Sequence, residues 1–363
     1  MNEEHIPSLN DYLKKQRAFV LKSRMRLLFL AFVLVLLWFL PRRWGFSSEE
    51  MRLWNDVRQA ELYIWQLRED QQIGAGGADP WKLGLIGVEW SPLSTTLGSL
   101  ESKRTACHPG WSVAILRKFD SMGLKEGDPV AILSSSSFPG LLLNALKAAE
   151  YRKLNVLLIV SLGSSTWGAN VPEIPWPIMA EELRKNGLLH TKANYYTLGG
   201  DDENGGGIAP EGVEIMIQAA EREGVPLLRE ENLEKMIEKK MNIVENFVPK
   251  LVMSIGGSHA NMGNDDEILT LSGGLHLPSG RENAGDGIIG RALSAGYPVF
   301  HFLNLHDLSL KYGIPYNSSP SKEMASQKSW FFSLLGVFLG GWVLFSHRRW
   351  MLFCGKKNGG EEK

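Results

Sequence analysis

Two long apolar segments lie near the ends of the chain, at residues 27–40 and 330–345, and basic residues flank the outer side of each. Such runs are typical of membrane-spanning helices, although both are shorter than the roughly 20 residues that a bilayer core of about 30 Å requires. Lys and Arg beside a span are retained on the cytoplasmic side. The pattern therefore predicts two spans, at 27–43 and 329–346, in a bacterial cytoplasmic membrane, with both termini cytoplasmic and the main domain extracytoplasmic.

Each apolar segment has an alternative interpretation. The first resembles the apolar part of a cleaved signal peptide, but it lacks a small-x-small cleavage site, and Pro41, Arg42 and Arg43 follow it directly. The second contains Gly336 and Gly340, which dilute its apolarity, so a buried core helix is the alternative there. The basic residues after it favour a span.

Between these segments, short aliphatic runs alternate with amphipathic stretches of helical period. The aliphatic runs predict strands at 83–88, 130–133, 156–160, 195–198, 251–255 and 299–302. The amphipathic stretches predict helices at 111–122, 141–151, 178–186, 213–223, 232–240 and 287–295, and several of these precede a glycine. Near-continuous aliphatic strands between helices indicate an α/β domain with a mostly parallel, doubly wound sheet.

A further amphipathic helix is predicted at 47–72, where Ser47 and Glu50 fit a capping box. It is either a stalk between membrane and domain or simply the first helix of the domain. The predicted organisation is a cytoplasmic tail at 1–26, the first span at 27–43, this helix and a linker at 44–80, the α/β domain at 81–328, the second span at 329–346 and a basic cytoplasmic tail at 347–363.

Composition excludes several classes of protein. The formal net charge of −1 over 363 residues leaves no polybasic surface of the kind that binds nucleic acid. Cys107 is predicted outside the membrane and Cys354 inside, so no disulfide joins them. The histidines lack the spacing of common metal sites, and the chain has no phosphate-binding P-loop. We therefore expect neither a metal nor a cofactor.

Hydroxyl and glycine residues follow three predicted strands. The carboxyl ends of parallel strands meet at one edge of a sheet, so residues that follow several strands can form a ligand site there. Hydrogen-bond donors without acidic neighbours suit a ligand that carries carboxylates or phosphates. Serine capping of a helix with nothing bound is the alternative. The residues are Ser134, Ser135, Ser136 and Ser137; Gly163, Ser164 and Ser165; and Gly256, Gly257, Ser258 and Asn261.

A fourth donor-rich segment, at 91–105, follows the first predicted strand. It contains Thr95 and Thr96 and the adjacent cations Lys103 and Arg104. The two cations are the best candidates to pair with a substrate carboxylate, since Arg can grip one through two parallel hydrogen bonds. An exposed loop with ordinary surface charge is the alternative.

Residues 256–260 approach the Gly-x-Ser-x-Gly pattern of a serine nucleophile, with Ser258 at the centre. His259, His306 and Asp307 are candidates to complete a triad, and His276, His301 and Asp286 are further choices. A poor helix start after the serine favours a non-catalytic glycine turn, with His259 and Asn261 as ligand contacts. The neighbouring Cys107 and His108 suggest a thiol and base, but no acid orients the histidine.

These segments also carry a family resemblance. The two-span layout, together with the segments at 93–98, 103–105, 127–132 leading into the serine run, 163–168 and 254–263, resembles the poly-gamma-glutamate system protein family. The resemblance covers most of the domain and rests on glycine and serine loops. It implies a membrane protein associated with the bacterial synthesis and export of poly-gamma-glutamate, a capsule polymer of the cell envelope. It supplies no active-site residues.

The sequence therefore predicts a membrane-anchored accessory protein whose extracytoplasmic domain contacts poly-gamma-glutamate, another anionic ligand, or membrane subunits of the polymer synthase or export complex. The absence of a P-loop argues against the chain being the ATP-dependent amide ligase. An extracytoplasmic serine-dependent hydrolase or transferase acting on the polymer is the alternative. A solute-binding or scaffold domain of another envelope complex is the third.

Overall fold

The computed structural model describes residues 8–39, 46–74, 76–278, 284–322, 335–336 and 338–342. The chain divides into two compact units. One is Phe46–Ala325, and the other comprises Met1–Gly45 and Ser326–Lys363.

The terminal unit contains a 31-residue helix, α1, at Leu9–Phe39. In the part of the chain that the structure describes, we find no helix with the length and apolarity needed to cross a membrane. Residues 40–43 of the first predicted span lie outside the described residues, as do 329–334, 337 and 343–346 of the second and the whole tail at 347–363.

The larger unit is built around a six-stranded sheet in the order β3-β2-β1-β4-β6-β5, in which only β5 is antiparallel to its neighbour. Its strands are β1 Pro129–Ser135, β2 Asn155–Ser161, β3 Tyr195–Thr197, β4 Leu251–Ile255, β5 Gly274–His276 and β6 Val299–Phe302. The α/β class and the mostly parallel sheet are thus confirmed. The strand order reverses between β1 and β4, which is where sheets of this kind bind ligands.

Helices cover both faces of the sheet. They are α2 Ser48–Asp70, α3 Leu100–Ala106, α4 Gly110–Ser121, α5 Pro139–Tyr151, α6 Trp176–Lys185, α7 Pro210–Glu223, α8 Leu233–Phe247, α9 His259–Met262, α10 Ile288–Ser294 and α11 Leu305–Tyr312. On one face, Ile132 and Met253 pack with side chains of α2 and α4 to α7. On the other, Leu133 and Val252 pack with α8 and α10. Alternate strand residues therefore enter two cores, which explains the continuous aliphatic runs.

Helix α2 belongs to the α/β unit, whose compact region begins at Phe46. The Ser47 hydroxyl accepts from the Glu50 backbone N–H at 3.2 Å, and the Glu50 carboxylate accepts from the Ser47 N–H at 2.7 Å. The predicted capping box is therefore confirmed. Leu53, Val57 and Ile64 are fully buried against the domain. The helix is thus the first element of the domain and not a separate stalk.

The prediction of a strand at 83–88 was wrong. This segment does not join the sheet, and most of its backbone groups bond to side chains instead. Arg68 donates to the carbonyls of Gly84 and Ile86 at 2.8 and 2.5 Å, and Asp79 accepts the Gly84 N–H at 2.7 Å. Asn170 accepts the Val88 N–H at 3.0 Å. The segment therefore packs above the sheet edge, where it supports the loop after β2.

Candidate functional site

Three donor-rich segments meet at the carboxyl edge of the sheet, beyond β1 and β2. Thr95 donates its backbone N–H to the Ser164 carbonyl at 2.8 Å. The Ser165 N–H donates to the Ser137 hydroxyl at 2.9 Å, and the Thr166 hydroxyl accepts from the Gly98 N–H at 2.7 Å. We call Thr95, Ser137, Ser164, Ser165 and Thr166 the hydroxyl cluster. The segments at 91–99, 134–140 and 161–170, which build it, contain no Asp or Glu.

Lys103 enters the hydroxyl cluster from α3. Its Nζ donates to the Ser137 carbonyl at 2.5 Å and lies 2.7 Å from the Ser165 Oγ. It also lies 3.7 Å from the centre of the Phe138 ring, a cation–π distance. The residue is only 3% exposed, and no carboxylate among the described residues pairs with it. A lysine in this position is unusual, because a buried charge is normally paired.

The environment of Lys103 changes its acidity. Burial lowers the pKa of the Lys103 ammonium group from 10.5 to about 7. Removal from water disfavours the charged form, and no anionic side chain in the described part of the chain compensates it. Near neutral pH the group therefore exists in both forms: a cation that donates to Ser137 and Ser165, and an amine whose lone pair can accept the Ser165 proton.

Arg104 points away from the hydroxyl cluster. Its guanidinium donates to the carbonyls of Ala78 and Gly77 at 2.9 and 3.3 Å and lies 5.3 Å from the Trp81 ring. The predicted pair of adjacent cations is therefore divided. Lys103 faces the site, while Arg104 fixes residues 77–81 against α3.

Of the predicted serine run at 134–137, mainly the last residue contributes to the hydroxyl cluster. Ser134 donates to the Ser135 carbonyl at 3.2 Å, and the Ser135 hydroxyl accepts from the Ser137 N–H at 3.1 Å. The Ser136 hydroxyl is buried and has no hydrogen-bond partner in the described structure. Only Ser137 is partly exposed. The first three serines thus shape the turn, and Ser137 is the member of the run that reaches partial exposure.

The loop after β2 is held in a strained backbone conformation. Trp167 has a φ of 65°, in the left-handed region that a bulky residue rarely adopts. Its N–H donates to the Val88 carbonyl at 2.9 Å, and its carbonyl accepts from the Gly87 N–H at 3.0 Å. Gly163, one of the predicted site residues, packs closely against Thr95, since a Cβ at position 163 would lie 2.8 Å from a methyl group of Thr95. Such conformations cost about 1–3 kcal/mol each and concentrate at functional sites.

The third predicted loop, after β4, lies across the strand-order reversal from the hydroxyl cluster. A Cβ at Gly256 would lie 2.9 Å from the Ser135 hydroxyl, so this loop packs closely against the one after β1, and Gly257 follows it. Asn261 is buried and donates to the Leu133 carbonyl and the Ser254 hydroxyl, both at 3.2 Å. Its amide therefore joins α9 to the sheet.

No serine–histidine pair is assembled at Ser258 in the described part of the chain. The Ser258 hydroxyl is buried and makes no hydrogen bond, although it lies near enough to Glu203 to help lower that residue's pKa. His259 instead accepts the Asp202 N–H at 3.0 Å through Nδ1, and its Nε2 contacts the Asn264 side chain at 2.9 Å.

The remaining triad candidates lie elsewhere in the fold. His306 and Asp307 are exposed on α11, with 3.3 Å between Nδ1 and the carboxylate. His301 lies buried on β6, where burial and nearby His276 lower its pKa to about 4.

Cys107 and His108 are both buried. Burial raises the pKa of the Cys107 thiol well above its usual value and lowers that of His108 to about 4. The His108 Nδ1 accepts the Gly110 N–H at 3.0 Å, and a Cβ at Gly140 would lie 2.5 Å from the Cys107 sulfur. These features suit an inert thiol and a neutral histidine that holds the start of α4.

Glu203, which the sequence analysis did not select, is the most buried carboxylate at this edge. It forms a 2.8 Å ion pair with Lys240, accepts from the hydroxyls of Thr197 and Ser161, the latter at 3.0 Å, and accepts from the Ala260 N–H at 3.2 Å. Burial raises its pKa, but Lys240 and the hydrogen bonds outweigh burial and lower it to about 2. Glu203, in the loop after β3, therefore joins the ends of β2 and β3 to α8 and α9.

The described residues contain no group of three His, Cys, Asp or Glu side chains able to hold a metal. A shallow depression of about 420 Å³ lies at the opposite edge of the sheet, beside Asp120 and Arg152. It contains a surface ion pair and none of the predicted donors, so we place the candidate site at the carboxyl edge. Comparison with protein-family models, curated proteins and solved structures gave no match to this chain.

Proposed function

We propose that this chain is a membrane-anchored accessory protein of bacterial poly-gamma-glutamate synthesis or export, whose α/β domain contacts the anionic polymer. One observation carries the proposal: Lys103, which has no carboxylate partner among the described residues, lies among converging hydroxyl groups in loops that lack acidic residues. A polyanion needs hydrogen-bond donors and freedom from like-charge repulsion, and this edge of the sheet offers both.

The contact would involve groups at different depths. Thr96 is exposed and Ser137 partly exposed, so their hydroxyls can donate to carboxylates directly. Lys103 is too deeply buried to contact a polymer directly. Its protonated form nevertheless adds a local positive potential to a protein that is nearly neutral as a whole. An anion bound nearby favours that protonated form.

Polymer binding tests this function. We expect the double variant Thr96→Val and Ser137→Ala to bind fluorescent poly-gamma-glutamate about tenfold more weakly, since two hydrogen bonds to carboxylates are lost. The measurement is fluorescence anisotropy on the full-length chain in detergent, at salt concentrations from about 50 to 500 mM. Lys103→Met should reduce the salt dependence.

Ser121→Ala is the matched control, because Ser121 is an exposed serine at the end of α4, outside the hydroxyl cluster. It should bind as the unmodified chain does. If the double variant bound the polymer with unchanged affinity and salt dependence, the hydroxyls of Thr96 and Ser137 would not be the contact.

We further propose that residues 27–43 and 329–346 are membrane spans that place the α/β domain outside the cytoplasmic membrane. Alkaline phosphatase is active only outside, so a fusion after Phe46 should be active, and a fusion after Lys357 should be inactive. A β-galactosidase fusion at each position provides the reciprocal control. The reverse pattern of activities would contradict the topology and remove the polymer from reach of the domain.

A further inference from the structure

The contact between Lys103 and Ser165 offers more than a binding surface. Structural lysines either reach solvent or pair with a carboxylate, and in the described residues Lys103 does neither. An apolar side chain would fill the same space at lower cost in folding free energy. A buried amine within 2.7 Å of a serine hydroxyl is instead the arrangement that activates a nucleophile.

We propose that Ser165 and Lys103 are the nucleophile and general base of a hydrolase that acts on carboxylic amides or esters. The inference does not require poly-gamma-glutamate as the substrate. Any accessible acyl group could be attacked, and a polyamide is one such substrate.

The reaction would proceed in two halves. The Ser165 proton passes to the neutral Lys103 Nζ while Oγ bonds to the carbonyl carbon and the carbonyl electron pair moves to oxygen. The bond from carbon to the leaving amine or alcohol then breaks, and Lys103 gives that group its proton. Water next attacks the acyl-serine, Lys103 accepts a proton from it, and Ser165 regains a proton as the ester breaks. One water is consumed, yielding one acid and one amine or alcohol.

Ser137 is placed to stabilise the negative oxygen of the intermediate. Its hydroxyl accepts from the Ser165 N–H at 2.9 Å, and its own proton has no acceptor among the described residues. It is also partly exposed, so it can meet an entering substrate. A preorganised donor of this kind is typically worth 10²–10³ in rate.

Gly98 packs directly against Ser165 and Lys103 and separates them from solvent. A Cβ at this position would lie 3.0 Å from the Ser165 hydroxyl and 3.2 Å from the Lys103 Cε. Gly98 is itself partly exposed, and Thr96, Leu97 and Ser99 beside it are exposed. The nucleophile, although only 7% exposed, therefore lies one residue below the surface.

The charged groups around Lys103 do not compensate its charge. On α3, the Glu101 carboxylate accepts from the Ser99 hydroxyl at 2.6 Å, Arg104 is bound to residues 77–78, and Cys107 is a neutral buried thiol. The loops that face the amine from β1 and β2, at 134–138 and 161–169, carry no titratable side chain apart from serine and threonine hydroxyls.

A fluorophosphonate probe tests this inference on the full-length chain. The probe forms a bond from phosphorus to an activated serine oxygen and loses fluoride, and mass spectrometry identifies the labelled peptide. We expect label on Ser165, with a labelling rate that rises as pH increases through about 7. We also expect hydrolysis of p-nitrophenyl acetate with the same pH dependence.

The variants separate catalysis from folding. We expect the labelling rate to fall at least about 100-fold in each of three variants: Ser165→Ala, Lys103→Met and Lys103→Arg. The first removes the nucleophile and the second removes the base. The third keeps the positive charge, but an arginine cannot accept a proton. Ser137→Ala should still be labelled at Ser165, but more slowly, and Ser121→Ala should react normally. Circular dichroism checks that each variant is folded.

Three outcomes would overturn the inference: no label on the folded unmodified chain, label on a serine other than Ser165, or normal labelling of folded Lys103→Met. The first two need no variant, so misfolding cannot obscure them. Polymer binding without labelling would retain the proposed function and reject the hydrolase. Labelling without polymer binding would support the hydrolase and reject the proposed polymer contact.

Discussion

Glu203→Gln should lower the free energy of unfolding by about 3–5 kcal/mol, because it leaves the Lys240 ammonium buried without a counter-charge. Both side chains are almost completely buried, at 0% and 2% exposure. The same carboxylate accepts from Thr197 and from the Ala260 N–H, so its loss also weakens the joint between the loops after β3 and β4. Urea denaturation of the full-length chain, followed by circular dichroism, measures the effect.

Two further variants make this result specific. Glu126→Gln removes a carboxylate whose ion pair with Lys153 is about 70% exposed, and it should change the unfolding free energy by less than about 1 kcal/mol. Lys240→Met in the Glu203→Gln background removes the unpaired charge and should recover much of the loss. A Glu203→Gln variant as stable as Glu126→Gln would show that the pair does not hold the edge together.

The pair also predicts the response to acid. The pKa of Glu203 is lowered to about 2 in the folded chain, from 4.5 ordinarily. Its contribution to stability is therefore present above about pH 4.5 and is lost as pH falls towards 2, where the folded-state carboxylate becomes protonated. In this window the unmodified chain should lose more stability than Glu203→Gln does.

Lys103 should make the protein more stable as the pH rises from about 7 to 10.5. Its pKa is lowered to about 7 in the folded chain, so the unfolded chain holds one more proton throughout this window. Each pH unit within this window should therefore add about 1.4 kcal/mol to the free energy of unfolding, relative to a variant without this group. Below pH 7 the group is protonated in both states, and this pH dependence ends.

Lys103→Met provides the comparison. It should be more stable than the unmodified chain at pH 7, because a buried unpaired charge is replaced by an apolar side chain, and it should lack the rise at higher pH. Lys235→Met, at a half-exposed lysine of α8, should retain that rise. Urea denaturation at several pH values measures both. Parallel pH profiles for the unmodified chain and Lys103→Met would contradict the burial of this amine.

The sheet could be predicted from the sequence because strands buried on both faces are aliphatic at nearly every position. For β4 and β6 the predicted bounds match the structure. The segment at 83–88 has the same aliphatic composition, yet most of its backbone bonds are to the side chains of Arg68, Asp79 and Asn170. Composition cannot distinguish a backbone bonded to side chains from one bonded to a neighbouring strand.

The site could be predicted only in outline. The sequence pattern places the donor-rich loops at one edge of the sheet, where the structure also has them, but it does not separate Lys103 from Arg104. Ser99 caps α3 by accepting the Ser102 N–H at 3.2 Å, and adjacent residues on a helix point about 100° apart. This cap was a signal that could have separated the two cations. Glu203 gave no local signal, since its partner Lys240 is 37 residues further along the chain.

Direct titration of the Lys103 amine is the sharpest test of the site, because both the anion contact and the nucleophile activation depend on a buried lysine without a counter-ion. The full-length chain can be labelled with ¹³C and ¹⁵N at lysine and followed by NMR from acidic to strongly alkaline pH, with Lys103→Met to assign the signal. One lysine should titrate with a pKa of about 7, and its signal should be missing from the variant. A Lys103 signal that titrates near 10.5, as an exposed lysine does, would contradict the account.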